Sequence, residues 1–210
     1  EFMLVANAGN SSIVLAWLEH WKEQEFPEVT IDNQTQQLSM LALQGPETIR
    51  LLTQISTFDP GNVRPFHSSP ILIKGQEVLV ARTGYTGEDG VELMPQTKDT
   101  EWLWSMLLEN DVIPCGLGAR DVLRLEAGLP LHGSDISVEV TPFEAGLERF
   151  VKSKRSYCGM EAIQERLSSE NQMRMIGFKL IEKGPIPRTH STIVNDNIAV
   201  GEVSSGGYSP

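Results

Sequence analysis

Cysteine is scarce. Only Cys115 and Cys158 occur in 210 residues, too few and too far apart for a disulfide framework or a Cys-x-x-Cys zinc or redox site. Such usage fits a reducing compartment. Long apolar runs are also missing, since residues 71–73 and 78–81 are strand-sized and a membrane-spanning helix needs roughly 20 residues. Positive charge is in deficit, with 17 Lys and Arg against 28 Asp and Glu and a net charge of −11. That balance repels a phosphate backbone, and no basic stripe interleaved with aromatics offsets it, so nucleic acid is excluded as a partner class. There is no low-complexity tract and no fixed repeat, which leaves an ordinary globular composition. The four histidines lie far apart and only His132, with Asp135 nearby, has another ligand type close to it, so no metal centre is expected. No Gly-x-Ser-x-Gly elbow occurs, and neither cysteine has a histidine beside it in sequence, so covalent catalysis has no support.

What is present alternates short helices with short strands. Residues 1–7 open at once on an apolar run and read as a strand already in progress. Asn10 or Ser11 can cap a helix in which Val14, Trp17, Leu18 and Trp21 form one stripe, expected to lie on a sheet. Strands are expected at 29–32 and 38–43, and Gly45-Pro46-Glu47 begins a helix to about Ile55. Two apolar runs separated at Lys74-Gly75 predict a hairpin. Helices follow from about Lys98 to Asn110 and from about Leu117 to Ala127, the latter carrying Val122, Leu123 and Leu125 before Gly128. A short helix over 159–167 precedes a polar break at 168–172, where a domain boundary is placed. Beyond it, 173–180, 192–195 and 198–204 alternate like strands, too few to close a barrel.

Between two of these strands lies Thr83-Gly-Tyr-Thr-Gly-Glu-Asp-Gly90. Backbone N–H groups of a glycine-rich loop can cradle anions, but the Gly-Lys-Ser/Thr ending of a P-loop is absent and Glu88 and Asp89 would repel phosphate. The loop is therefore a tight turn or a platform for a polar ligand. On the following strand, Glu92 faces away from Val91 and Leu93, into solvent or into a polar cleft. Arg120, beside Asp121 at a helix start, has the ordinary expectation of a surface arginine that packs its stem and pairs an acid.

Four segments together change that balance. Leu41-Ala-Leu-Gln-Gly-Pro-Glu47, Arg82-Thr-Gly-Tyr-Thr-Gly-Glu-Asp-Gly-Val-Glu92, Pro114-Cys-Gly-Leu-Gly-Ala-Arg-Asp-Val-Leu-Arg-Leu-Glu-Ala-Gly-Leu129 and Thr141-Pro-Phe-Glu-Ala-Gly-Leu147 resemble, in order and spacing, the glycine-cleavage T-proteins, the aminomethyltransferases. The resemblance covers essentially the whole chain. It implies an α+β fold in which residues 1–169 form part of two interleaved folate-site subdomains with mixed or antiparallel sheets. Residues 170–210 would then begin a C-terminal β-barrel.

The activity implied is transfer of the aminomethyl carbon from the lipoyl arm of H-protein to tetrahydrofolate, with release of ammonia. Tetrahydrofolate is the substrate and no metal is implied. Partners are tetrahydrofolate and lipoylated H-protein, without nucleic acid or membrane, in a bacterial cytoplasm or a mitochondrial matrix. By the resemblance, Glu92 matches the acid that hydrogen-bonds the pterin ring and Arg120 the arginine lining the same pocket, while Tyr85 supplies an aromatic wall and Asn7 a hydrogen bond. A carboxylate can accept two adjacent pterin N–H groups at once. The family's catalytic aspartate belongs to a Gly-Gly-x-x-Asp-Asp stretch expected upstream of residue 1, so no catalytic residue is assigned among these 210. Both ends read as interruptions of a longer polypeptide. Two relatives keep the pterin pocket with other roles, an iron–sulfur-assembly scaffold and a folate-dependent demethylase. The scaffold's Lys-Gly-Cys-Tyr-x-Gly-Gln signature has its nearest counterpart here in Ser156-Tyr-Cys-Gly-Met-Glu161, which lacks the Lys-Gly opening and the Gln. Lys152, Lys154 and Arg155 form a short basic cluster, either a solvated loop or a patch for an acidic H-protein.

Overall fold

The computed structural model describes residues 2–59, 61–151, 156–169, 173–182 and 184–210. The fold is α+β with antiparallel sheets, and the chain forms two compact units. The first comprises Glu1–Gly84 and Asp89–Ile113, and the second Tyr85–Glu88 and Pro114–Pro210.

The first unit carries helix α1 (Ser11–Glu25), strand β1 (Leu41–Gln44), helix α2 (Thr48–Ile55), strands β2 (Ser68–Ile73), β3 (Gln76–Ala81) and β4 (Gly90–Met94), and helix α3 (Thr100–Glu109). The strands form one antiparallel sheet in the order β1-β4-β3-β2. The hairpin expected at Lys74-Gly75 joins β2 and β3, and both turn residues have positive φ, 50° and 87°, as a two-residue turn between twisted strands requires. Pro70 is tolerated because β2 is an edge strand, where one missing N–H costs no ladder bond.

Period two decides the faces of this sheet. Leu43, Ile71, Ile73, Val78, Val80, Val91 and Leu93 point to one side, where Leu52 and Ile55 of α2 and Leu103, Met106 and Leu107 of α3 close over them as one buried cluster. Each such side chain withdrawn from water contributes roughly 1.5–3 kcal/mol, so this layer holds the unit together.

Three sequence expectations for this unit are corrected. Residues 2–7 form no strand; Phe2, Met3, Leu4 and Val5 are exposed, without the partner strand that pairing demands. Residues 29–32 likewise form none. Helix α1 forms where its periodicity predicts, yet it buries no residue, and the Asn10 side chain makes no capping bond. Its tryptophans pack on each other instead, Trp17 and Trp21 edge to face with ring centroids 6.1 Å apart.

The second unit contains α4 (Leu117–Glu126), α5 (Met160–Leu167) and the hairpin β5 (Thr192–Asn195) and β6 (Ile198–Glu202). The hairpin turns on Asp196 and Asn197, both with positive φ. On α4, Val122 and Leu125 are half-buried, Leu123 is exposed, and the buried residue of the helix is Arg124. Residues 173–180 form no strand, and the Met175 N–H ties the segment to Glu144 O at 2.8 Å. The boundary near residue 170 and the basic cluster at Lys152, Lys154 and Arg155 fall outside the described residues.

Candidate functional site

In the first unit, Glu92 stands on the sheet face opposite the buried cluster. It is half-buried between two fully buried neighbours, Val91 and Leu93, as alternation along β4 requires. Its partners in register are Ala42 on β1 and Ala81 on β3, and Ala81 in turn pairs with Ser68 on β2. One row across the four strands therefore reads Ser68, Ala81, Glu92, Ala42, with a single long side chain.

The glycine-rich loop leaves β3 and returns to β4 through a tied neck. The Arg82 guanidinium grips the Asp89 carboxylate with Nε at 3.3 Å and Nη2 at 2.7 Å, and Nη1 donates to Val63 O at 3.2 Å. The hydrogen bonds from Arg82 hold the Asp89 carboxyl below the usual carboxylate range and raise the guanidinium. On β1, the Gln44 amide donates to Thr83 O at 3.2 Å and to Val91 O at 3.0 Å, bridging the two ends of the loop. A Cβ on Gly84 or Gly90 would run into the amide end of the Gln44 side chain, which would have to move aside. Asn7, the remaining candidate of this unit, is exposed at the start of a 3-10 turn over Ala8–Asn10, where its carbonyl accepts the Asn10 N–H at 2.9 Å.

In the second unit, Tyr85 and Arg120 meet. The Arg120 guanidinium carbon lies 4.8 Å from the centre of the Tyr85 ring, within the range of a cation–π contact. The phenol donates to Pro130 O at 2.6 Å, and burial pushes its pKa up, so the hydroxyl keeps its proton for that bond. The surface acid pair expected of Arg120 belongs instead to Arg124, one turn on, whose Nε donates to Asp121 at 2.8 Å. Arg124 also donates through Nη1 to Asp135 at 2.7 Å and through Nη2 to Ser205 Oγ at 2.9 Å. Arg120 of this pair thus sits on a helix that Arg124 anchors through two ion pairs. Glu88, Asp89 and Asp121, acids near the candidate residues, are accounted for as an exposed loop residue and two arginine partners.

Thr141-Pro-Phe-Glu-Ala-Gly-Leu147 proves to be built on a reciprocal contact, the Thr141 N–H donating to Glu144 Oε2 at 2.9 Å and the Glu144 N–H to Thr141 Oγ1 at 3.2 Å. The Thr141 N–H chiefly, with Arg166 beside it, holds the Glu144 carboxyl below its ordinary value despite desolvation. Sequence reading missed Gln44, the Arg82–Asp89 pair and Arg124. The glycines flanking the loop were the available signal for Gln44, since a long side chain needs such gaps; Arg124 left only its i, i+3 spacing from Asp121, because its other partners, Asp135 and Ser205, lie 11 and 81 residues away. Among the described residues, no group of three or more His, Cys, Asp or Glu side chains is placed to hold a metal ion, and no helix is long and apolar enough to cross a membrane.

The GCVT N-terminal domain family matches residues 1–155. An aminomethyltransferase of Staphylococcus saprophyticus is 38% identical over 213 residues, covering 100% of this chain and 58% of that protein. One from Bacillus subtilis is 38% identical over 217 residues, covering 59% of its length. The crystal structure of glycine cleavage system aminomethyltransferase T from Bartonella henselae has a TM-score of 0.77 at 29% identity, over 97% of this chain and 55% of that one. The chain therefore spans a little more than half the length of these relatives.

Proposed function

Because the chain belongs to the GCVT family, the glycine-cleavage T-proteins, we propose that the protein it forms part of is a tetrahydrofolate-dependent aminomethyltransferase. In that reaction the aminomethyl carbon leaves the lipoyl sulfur of H-protein, becomes the methylene group on tetrahydrofolate, and its nitrogen departs as ammonia. Glu92 accepts the N–H groups of the pterin edge, which a carboxylate does in a two-pronged, charge-assisted contact. Tyr85 and Arg120 present a flat, cationic stack to the folate, and Asn7 donates or accepts one further hydrogen bond. Residues 1–169 belong to the folate-binding region and 170–210 begin a C-terminal β-barrel. A bacterial cytoplasm or, in a eukaryote, the mitochondrial matrix is the compartment that fits this reading.

The observation that carries this reading is the family match over residues 1–155, which includes all four candidate residues. The half-burial of Glu92 on β4, on the sheet face opposite the buried cluster, supports it. In the full-length protein, Glu92→Ala should raise the tetrahydrofolate dissociation constant by about tenfold or more, the scale of a lost charge-assisted contact. An unchanged constant removes Glu92 from the folate site.

A further inference from the structure

Within the second unit, Tyr85, the Pro130–Leu131 peptide, Asp135, Arg124 and Arg120 close into a ring. The Tyr85 hydroxyl donates to Pro130 O at 2.6 Å, and the Leu131 N–H donates to Asp135 Oδ2 at 2.8 Å. That carbonyl and that N–H belong to one planar peptide group, so the phenol and the carboxylate hold the same rigid plate by its two polar ends, and each bond strengthens the other. The same Oδ2 accepts Arg124 Nη1 at 2.7 Å. Arg124 lies four residues beyond Arg120 on α4, a spacing that puts the two on one face, and the Arg120 guanidinium carbon returns to the Tyr85 ring at 4.8 Å. The loop meets the helix at its other end as well: a Cβ on Gly87, whose φ is 79°, would lie 2.8 Å from the Ala127 Cβ. Burial is graded around the ring. Arg124 and Asp135 are 3% and 6% exposed, Tyr85 is half-buried and Arg120 is exposed.

We infer that Asp135 is a positioning residue for the subsite at Tyr85 and Arg120: through the Pro130–Leu131 peptide it fixes the Tyr85 ring, and through Arg124 it fixes the helix that carries Arg120. An exposed arginine has many rotamers to lose when it meets a ligand, and a site whose parts are set beforehand binds more tightly because less is ordered on binding. The ring supplies that order from its buried side. Ser205 completes the buried corner, accepting Arg124 Nη2 at 2.9 Å and hydrogen-bonding Asp135. This inference rests on the proposal that Tyr85 and Arg120 face the folate, and it adds residues that act on the ligand without touching it.

The test uses the full-length protein with Arg120→Ala, Tyr85→Phe, Asp135→Asn and the Tyr85→Phe/Asp135→Asn double variant. Tetrahydrofolate dissociation constants are measured at a temperature where melting curves show every variant folded. Tyr85→Phe keeps the aromatic ring and opens the chain of bonds at the phenol, and Asp135→Asn opens it at the carboxylate. Each should weaken binding about threefold or more. Because either cut suffices, the double variant should bind within about twofold of the weaker single variant. Should Asp135→Asn fail to fold, Ser205→Ala, which keeps both charges, takes its place with the same expectation. Effects that multiply in the double variant overturn the inference, since the two residues then act independently. Normal binding by either single variant also overturns it, whatever the melting temperature, because a structural role alone lowers stability and leaves the folded protein's affinity intact. In both cases weakened binding by Arg120→Ala leaves the folate reading standing. Normal binding by Arg120→Ala removes Arg120 from the folate site, and the inference falls with it.

Discussion

The Arg124 guanidinium and the Asp135 carboxylate meet at 2.7 Å with each side chain only 4% exposed. Asp135 accepts the Leu131 N–H as well, at 2.8 Å, and Arg124 reaches Ser205 near the end of the chain. Helix α4, which carries Arg120, is thereby tied to the turn at 131–136 and to the segment after β6. A buried ion pair is no guarantee of net stability over an apolar replacement, but removal of one partner strands the other charge in a dry environment.

Replacing Asp135 by Asn should therefore cost about 3 kcal/mol or more at neutral pH, read from urea unfolding of the full-length protein. The pH dependence should change with it. Burial pushes the Asp135 carboxyl up, but hydrogen bonds from Ser204, the Leu131 N–H and Ser205, with the Arg124 charge, more than offset that and leave it below its ordinary value. A depressed folded-state pKa contributes stability that is complete above the unfolded value of about 3.9 and is lost as pH falls through the folded value. The parent should lose this increment on acidification below about pH 4, and the Asn variant should show a flatter curve there. Equal acid slopes in the two proteins would contradict the assignment.

The neck of the glycine-rich loop offers a test by double substitution. A Cβ on Gly90 would lie 2.6 Å from the Gln44 side-chain carbonyl carbon, so Gly90→Ala must displace the amide that bonds Thr83 O and Val91 O. The loss of two hydrogen bonds predicts a destabilisation of about 1–3 kcal/mol. In a Gln44→Ala background the same change should cost much less, a coupling above about 0.5 kcal/mol in the double-mutant cycle. Strict additivity would show that Gly90 is required for some other reason.

For the stacked pair, Tyr85→Phe keeps the ring under Arg120 and removes only the bond to Pro130 O, which predicts a loss of about 1 kcal/mol in stability. Arg120→Lys keeps the charge and loses the planar face, and because Arg120 is exposed the stability change should stay within about 1 kcal/mol. Tetrahydrofolate binding is the sharper readout: if the stack faces the folate, Arg120→Lys weakens binding more than it lowers stability, and the reverse order removes Arg120 from the site.

Local signals were the legible part of this chain. The Lys74-Gly75 hairpin and the helices at 11–25, 100–109 and 117–126 are written in turn chemistry and 3.6-residue periodicity, which need no distant partner. The strands expected at 29–32 and 173–180 failed because strand propensity describes a fit to neighbours, and no ladder reaches those residues. Likewise, the exposed course of residues 2–7 could not be read from an apolar run alone. At the site, Glu92 was visible from alternation along one strand, and its meaning came from the resemblance. Arg124, the buried residue of its helix, was not singled out because arginine is so rarely buried.

The second unit takes four residues, Tyr85–Glu88, from the middle of the first. No single cut in the gene can then yield both units whole. A polypeptide begun at Pro114 would lack the phenol that bonds Pro130 O and the ring beneath Arg120, while one ended at Ile113 would carry Tyr85 with neither partner. On the ribosome the same order holds: Tyr85 emerges with the strands of the first unit and waits for Arg120 and Pro130, so completion of the second unit is deferred until the chain has passed both.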